Sequence, residues 1–233
     1  MSPYVYCSNN PICRVDPDGM DDYGLDPNTK RLSLINRTKD KTDFVQSGSY
    51  DKDGKFMAND KSNSSIMISK GVLNAKDSQQ DLSKDGFVTT GGNQKDGVDL
   101  MCFISNQTGV EVAAKGFSTK EGQEELLVGH WDGNTVDQSV SPGFNQEGTV
   151  MFDVHTHFIG KDNNPGLGFG VASKGDFSTK TNYPAYYIIS QRNGLTQYFP
   201  APGRGKTFEE RQKYTVYPSI STIPSSLKDY LNP

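Results

Sequence analysis

The segment Thr149-Val150-Met151-Phe152-Asp153-Val154-His155-Thr156-His157 is an apolar run that ends in two of the chain's three histidines. The run over 149–154 predicts a β-strand that delivers the histidine pair. Because side chains alternate between the two faces of a strand, His155 and His157 should project from the same side, with Cα atoms roughly 6.5 Å apart. Two imidazoles placed in this way can close on one metal ion.

The later segment Ser173-Lys174-Gly175-Asp176 offers a further carboxylate and a hydroxyl. Zinc binds imidazole nitrogen at about 2.0–2.1 Å and carboxylate oxygen at a similar distance, so one more protein ligand would make a three-ligand site. Asp176 is the candidate, because a short helix capped by Ser173 would bring Asp176 over the same face as the serine. The fourth position is expected to hold a water that zinc acidifies at neutral pH.

These residues resemble the signature of the JAB/MPN metallopeptidases, which is an upstream glutamate, then His-x-His, then Ser-x-x-Asp. The resemblance covers the second half of the chain and implies that His155, His157 and Asp176 bind Zn²⁺. It also implies that Ser173 steadies the oxyanion of the tetrahedral intermediate. The chain departs from the family in its long, glycine-rich segment 158–172, whose first and last residues replace prolines that are common in the family.

The fold that this resemblance implies is α+β, with a mixed β-sheet and flanking helices of the JAB/MPN (cytidine-deaminase-like) type. The family's glutamate should lie on an earlier strand, where it can hydrogen-bond the zinc-bound water rather than bind the ion. Residues 98–105 predict a short buried helix that ends over 106–109, and 110–114 predict a strand. In that strand Glu111 lies on the face opposite to the valines, so it is our candidate for the base.

Three further glutamates compete for this role, namely Glu121, Glu124 and Glu125. They lie in or beside the segment 123–128, which predicts the return strand of a hairpin. Glu111 can also be an ordinary solvent-facing residue of its strand. His130, near the end of the return strand, is expected to be a surface or core residue rather than a fourth ligand, because three ligands suffice.

Residues 4–20 carry a second resemblance, to the closing segment of an Rhs/YD-repeat core. Asn-Asn-Pro at 9–11 and Asp-Pro-Asp-Gly at 16–19 are the features that carry it. In that family the segment precedes a variable C-terminal toxin, so the resemblance implies the tip of a polymorphic toxin or an orphan copy of such a tip. The physical alternative is two turns joined by short strands.

Three regions are expected: the tail of the Rhs core over 1–20, a β-rich, partly irregular adaptor over 21–83, and the JAB-like domain over 84–233. Alternating apolar residues predict short strands at 32–35, 43–45 and 66–68, with a turn at 53–54. The polar stretch 77–97 predicts a linker or mobile loop. Beyond the motif we expect a hairpin of strands at 185–190 and 195–199, with a helical turn or two around 207–213.

The net charge of -4 and the pI near 5.4 argue against a general nucleic-acid binder, which needs clustered Lys and Arg. No run of eighteen apolar residues occurs, and neither a membrane span nor a Sec signal is expected. The three cysteines, Cys7, Cys13 and Cys102, are too few and too scattered to predict a disulfide framework.

Together these features predict a zinc peptidase or isopeptidase that is delivered as an Rhs-type toxin and acts inside a target cell. The expected partners are a protein substrate, with ubiquitin-like conjugates as one class, and a cognate immunity protein. Two alternatives stay open. One is a metal-dependent nuclease toxin, because paired histidines also serve that chemistry, although the acidic composition weighs against it. The other is a non-catalytic binding or shell-closing module.

Overall fold

The computed structural model describes residues 21–37, 41–61, 63–89, 93–131, 148–157, 183–190, 194–199, 207–219 and 221–231. The Rhs-like segment 1–20, the segment 158–172, Ser173 and Asp176 lie outside these residues. The described chain combines mixed β-sheets with few helices, which confirms the predicted α+β class.

The first sheet is built from the N-terminal part of the chain. Its strands are β1 Asp21–Leu25, β2 Leu32–Asn36, β3 Thr42–Tyr50, β4 Phe56–Ala58 and β5 Ser65–Ser69. They follow the order β2-β1-β3-β4, with β5 also pairing with β3, and β1 runs parallel to β3. The predicted strands correspond to β2, β3 and β5, and the predicted turn at 53–54 joins β3 to β4. Strand β1 was missed because its apolar alternation is limited to Tyr23 and Leu25, which stand among two aspartates and a glycine.

The second sheet carries the histidine pair. Its strands are β6 Phe87–Val88, β7 Ala113–Ser118, β8 Glu124–Val128, β9 Thr149–His157, β10 Tyr186–Ser190, β11 Gly194–Tyr198 and β12 Thr215–Val216. Their order is β12-β11-β10-β9-β7-β8-β6, so β9 lies between β7 and β10. Strand β9 is antiparallel to β7 and parallel to β10, and β7 with β8 forms the predicted hairpin.

The helices are α1 Leu82–Asp85, α2 Gln94–Thr108 and α3 Phe208–Lys213, followed by a 3₁₀ helix at Ser225–Tyr230. Helix α2 is longer than the predicted 98–105 but ends as expected at Gly109, whose φ of 71° is the left-handed conformation that glycine adopts without strain. The linker prediction for 77–97 is wrong for its described part, because α1, β6 and the first turn of α2 lie there. No helix among the described residues is long and apolar enough to cross a membrane.

One continuous hydrophobic core joins the two sheets through α2. It includes Leu25 and Val45 of the first sheet, Met101 of α2, and Phe152 and Val154 of β9. The boundary expected between residues 83 and 84 stays a prediction, and side chains from both sides of it share this core. Helix α2 covers the face of the second sheet that bears Phe152 and Val154. Because side chains alternate along β9, His155 and His157 lie on the other face.

Candidate metal centre

Strand β9 presents different chemistry on its two faces. Phe152 and Val154 belong to the main core, whereas His155 and His157 lie on the opposite face beside Ile188 and Ser190 of β10. Both imidazoles are buried, with 3% of His155 and 2% of His157 exposed. The predicted placement of the two histidines on one side of a strand is therefore confirmed.

The two histidine side chains point their Nε2 atoms at each other across 3.1 Å. At a zinc–nitrogen distance of about 2.0–2.1 Å, this separation corresponds to an N–metal–N angle of roughly 100°, close to the tetrahedral value. Without an ion, one of these nitrogens must carry a hydrogen and donate a hydrogen bond to the other. The donor set and its spacing thus fit two of the ligands of a zinc ion.

Glu111 is an acidic residue that the structure places beside the pair. Its Oε1 atom lies 3.6 Å from Nε2 of His157, and 30% of its side chain is exposed. The prediction that Glu111 lies in a strand is wrong, because β7 begins only at Ala113. Glu111 lies instead in the connection between α2 and β7, close to the histidines and open to solvent on one side.

Hydrogen bonds to and from Thr156 hold the connection between α2 and β7 against β9. The backbone N–H of Val112 donates to Thr156 Oγ1 over 2.9 Å, and the N–H of Thr156 donates to the carbonyl of Val112 over 3.0 Å. Thr156 Oγ1 donates to Ser105 Oγ over 2.9 Å, and Ser105 Oγ donates to the carbonyl of Val110 over 2.5 Å. Both neighbours of Glu111 are thereby tied to the residue that separates the two histidines.

Tyrosines border the histidines on the same face of the sheet. The ring of Tyr198 meets that of His155 edge to face, with centroids 5.9 Å apart, and Tyr186 lies 5.4 Å from Tyr198. Tyr186, Tyr198 and Ile188 form a small cluster of their own, separate from the main core. This apolar wall lowers the local polarity around His155, which strengthens electrostatic interactions there.

The competing glutamates are placed differently from Glu111. Glu121 and Glu124 are exposed, whereas Glu125 is buried and accepts a hydrogen bond of 2.9 Å from Thr89 Oγ1. The Gln94 amide also donates to the Glu125 carbonyl. Glu125 is therefore part of a structural network at the start of α2. His130 is half-buried, and the prediction that it is no ligand is not tested.

Sequence reasoning missed Thr156, Ser105 and Tyr198. Strand alternation alone puts Thr156 on the core face, and a buried hydroxyl needs a hydrogen-bond partner, so this signal was available. Ser105 stands out in the same way as a polar residue in the apolar part of α2. Tyr198 carries no comparable signal, because its contact with His155 depends on the pairing of β11 with β10 and of β10 with β9.

A cavity of about 410 Å³ lies elsewhere and is lined by hydroxyl and amide groups, among them Ser47, Asn59 and Gln107. Within the described ranges, no group of three or more His, Cys, Asp and Glu side chains forms a metal cluster. Comparisons with protein-family models, curated proteins and solved structures find no match. Function is therefore inferred from the side chains around the histidine pair.

Proposed function

We propose that the chain is a zinc-dependent peptidase or isopeptidase of the JAB type, carried as the C-terminal toxin of an Rhs-type protein. The observation that supports this best is the pair of buried Nε2 atoms 3.1 Å apart on one face of β9, with the Glu111 carboxylate 3.6 Å from the second. Metal-assisted hydrolysis uses three protein ligands and a base; the two imidazoles supply two of the ligands, Glu111 is the candidate base, and Asp176 would be the third ligand.

In this proposal His155, His157 and Asp176 hold the zinc. When bound, zinc lowers the pKa of a coordinated water and polarises the scissile carbonyl. Glu111 accepts the proton of the attacking water and returns it to the departing amine. Ser173 donates a hydrogen bond to the oxyanion, as the family resemblance implies.

Burial of the histidines and exposure of Glu111 suit these different tasks. The buried imidazoles keep their orientation because β7 and β10 hold β9 on both sides, and ordered ligands bind metal more tightly. Glu111, with 30% of its side chain exposed, can reach both the site and solvent, so its proton can be exchanged between turnovers. The proposed substrate is a protein amide or isopeptide bond, with ubiquitin-like conjugates as one class, and the proposed partner is a cognate immunity protein.

One observation favours a second candidate, a non-catalytic module of an Rhs protein. A separation of 3.1 Å is also a good hydrogen-bond distance between two neutral imidazoles, so the pair can stabilise the sheet without metal. Metal content separates the two candidates, because a purely structural pair needs no ion.

The test is elemental analysis of the purified full chain. The parent should contain one zinc per chain, and His155→Ala, His157→Ala and Asp176→Ala should each lose most of it, whereas His130→Ala should keep it. Expression of the parent inside bacterial cells should stop growth, and the three zinc-depleted variants should not. A parent that contains no zinc and stays folded and unchanged in the presence of a chelator would favour the non-catalytic module.

A further inference from the structure

Glu111 lies in a connection whose backbone belongs neither to helix α2 nor to strand β7. Such a segment lacks the repeating hydrogen bonds of a helix or strand, so its position depends on individual bonds. One of them joins the Thr156 backbone N–H to the Val112 carbonyl, and the others involve side chains. Here the partners of Val110 and Val112, the residues on either side of Glu111, belong to a single chain of hydrogen bonds. It runs from the Val112 N–H through Thr156 Oγ1 and Ser105 Oγ to the Val110 carbonyl.

We propose that Thr156 and Ser105 are positioning residues that set the distance between the Glu111 carboxylate and the histidine pair. The inference rests on the proposed function, in which Glu111 is the base. Thr156 separates His155 from His157 on β9 but points to the opposite face, where it also accepts the Val112 N–H. One residue therefore fixes the base and the two imidazoles relative to each other.

Burial makes this arrangement sensitive to the loss of a hydroxyl. Thr156 and Ser105 are both 0% exposed, so bulk water cannot replace a missing hydroxyl without the structure opening. Removing the Thr156 hydroxyl leaves the buried Val112 N–H without its acceptor and Ser105 Oγ without its donor. The backbone bond from Thr156 to the Val112 carbonyl remains, so we expect the connection to shift until the Val112 N–H regains a partner, rather than to detach. The histidines stay in place because the strand pairs on both sides of β9 do not involve the hydroxyl.

Thr156→Val keeps the shape of the side chain and removes the hydroxyl. We expect it to retain full zinc content while kcat on a lysine-linked ubiquitin dimer or a peptide panel falls by about 10- to 100-fold, because small displacements of a reacting group have effects of this size. Thr156→Ser should restore kcat to within about threefold of the parent. In the Glu111→Gln background, Thr156→Val should cause no further loss, because both changes remove the same base.

Thr89→Val is the matched control. Thr89 is also 0% exposed, donates to one partner, Glu125, and accepts a backbone N–H, from Leu126. Its loss should lower stability by an amount similar to that of Thr156→Val, as denaturant unfolding measures, without changing kcat. This comparison separates positioning from a general loss of stability.

Crystal structures of metal-free Thr156→Val provide a readout that does not depend on activity. The distance from Glu111 Oε1 to His157 Nε2 should grow by about 1 Å or more. An unchanged distance would overturn the positioning role. So would a double variant of Glu111→Gln and Thr156→Val whose loss of kcat is the product of the two single losses. Either result leaves the proposed function standing if the parent is active. A parent without zinc and without activity overturns the proposed function, and the positioning role with it.

Discussion

The indole N–H of Trp131 donates a hydrogen bond of 3.0 Å to the backbone carbonyl of Lys30, which joins the end of the β7–β8 hairpin to the first sheet. The Trp131 side chain is buried and meets Phe87 edge to face at 6.2 Å. A second polar contact of the first sheet runs from the Ser69 N–H of β5 to the Asp96 carboxylate of α2 over 2.7 Å. The N-terminal strands are thus held to the histidine-bearing sheet and to α2 by specific polar contacts as well as by apolar packing.

Trp131→Phe should lower the free energy of unfolding by about 1–3 kcal/mol, because the Lys30 carbonyl loses its donor and part of the aromatic volume is lost. Denaturant unfolding of the full chain measures this. Tyr217→Phe is a suitable control, since the Tyr217 side chain is 66% exposed. Equal stability of both variants would mean that the Trp131 contact contributes little.

Deletion of residues 21–83 should leave a chain without cooperative thermal unfolding. The deletion removes Leu25, Val45 and their neighbours from the core that they share with α2, so it exposes apolar surface on Met101 and other buried side chains of α2. Circular dichroism on heating provides the measurement. A sharp transition in the truncated chain would support an independent domain that begins near residue 84.

Glu111→Gln should keep zinc and lose activity, since glutamine preserves the shape of the side chain but cannot accept a proton. The expected loss of rate is about 10²–10⁴-fold, the usual contribution of a positioned acid or base. Glu124→Gln, on the exposed side of the hairpin, should behave like the parent. Glu125→Gln is a poor control because Glu125 accepts the Thr89 hydrogen bond. An active Glu111→Gln variant would exclude Glu111 as the base.

Asp43 should make the protein less stable as the pH rises. Its carboxyl is fully buried on β3 and makes no hydrogen bond of good geometry to the described residues, although the backbone N–H groups of Asp21 and Gly71 lie close enough to oppose part of the pKa shift. Burial, and after it the nearby Asp21 carboxylate, raise the pKa of Asp43 to about 7, against the opposing effect of Lys70. The folded state therefore binds a proton that the unfolded state releases near pH 4, so stability falls between about pH 4 and pH 7.

Asp43→Asn stays neutral throughout and should flatten this dependence. The difference in unfolding free energy between parent and variant should change by up to about 4 kcal/mol from pH 4 to pH 8, as urea unfolding at several pH values can show. Asp60→Asn, at an exposed position, should follow the parent. Parallel pH profiles for the parent and Asp43→Asn would contradict the raised pKa.

Gly116→Ala should destabilise the sheet beneath the site. Gly116 of β7 pairs with Phe152 of β9, and a Cβ at Gly116 would lie 2.1 Å from Cε1 of that ring. Phe152 is buried and has little room to move, so we expect a loss of about 1–3 kcal/mol in denaturant unfolding. Phe152→Leu lacks the ring atoms that would clash, so adding Gly116→Ala to it should cost much less. A full additional loss in that background would argue against the clash.

The sequence pattern of a single strand predicted which side chains share a face of that strand. The period of two in β9 was sufficient to place His155 and His157 together, because alternation is a property of the strand itself. The position of Glu111 was not predictable in this way, since it depends on hydrogen bonds to Thr156 from a distant segment. The expected linker failed for a related reason: Asp81, polar and turn-like in sequence, accepts the Ser83 N–H and starts α1 instead.

Because side chains alternate along β9, the site is sensitive to whether an odd or an even number of residues is inserted into or deleted from this strand. Inserting or deleting one residue between Phe152 and His155 would rotate the histidines into the core and turn Thr156 outward, reversing both faces at once. A change of two residues would keep both faces and shift only the depth of the pair along the sheet. A change of one residue in this part of β9 would therefore have to be absorbed by a bulge, as already happens where β9 passes Gly116 and Phe117 of β7.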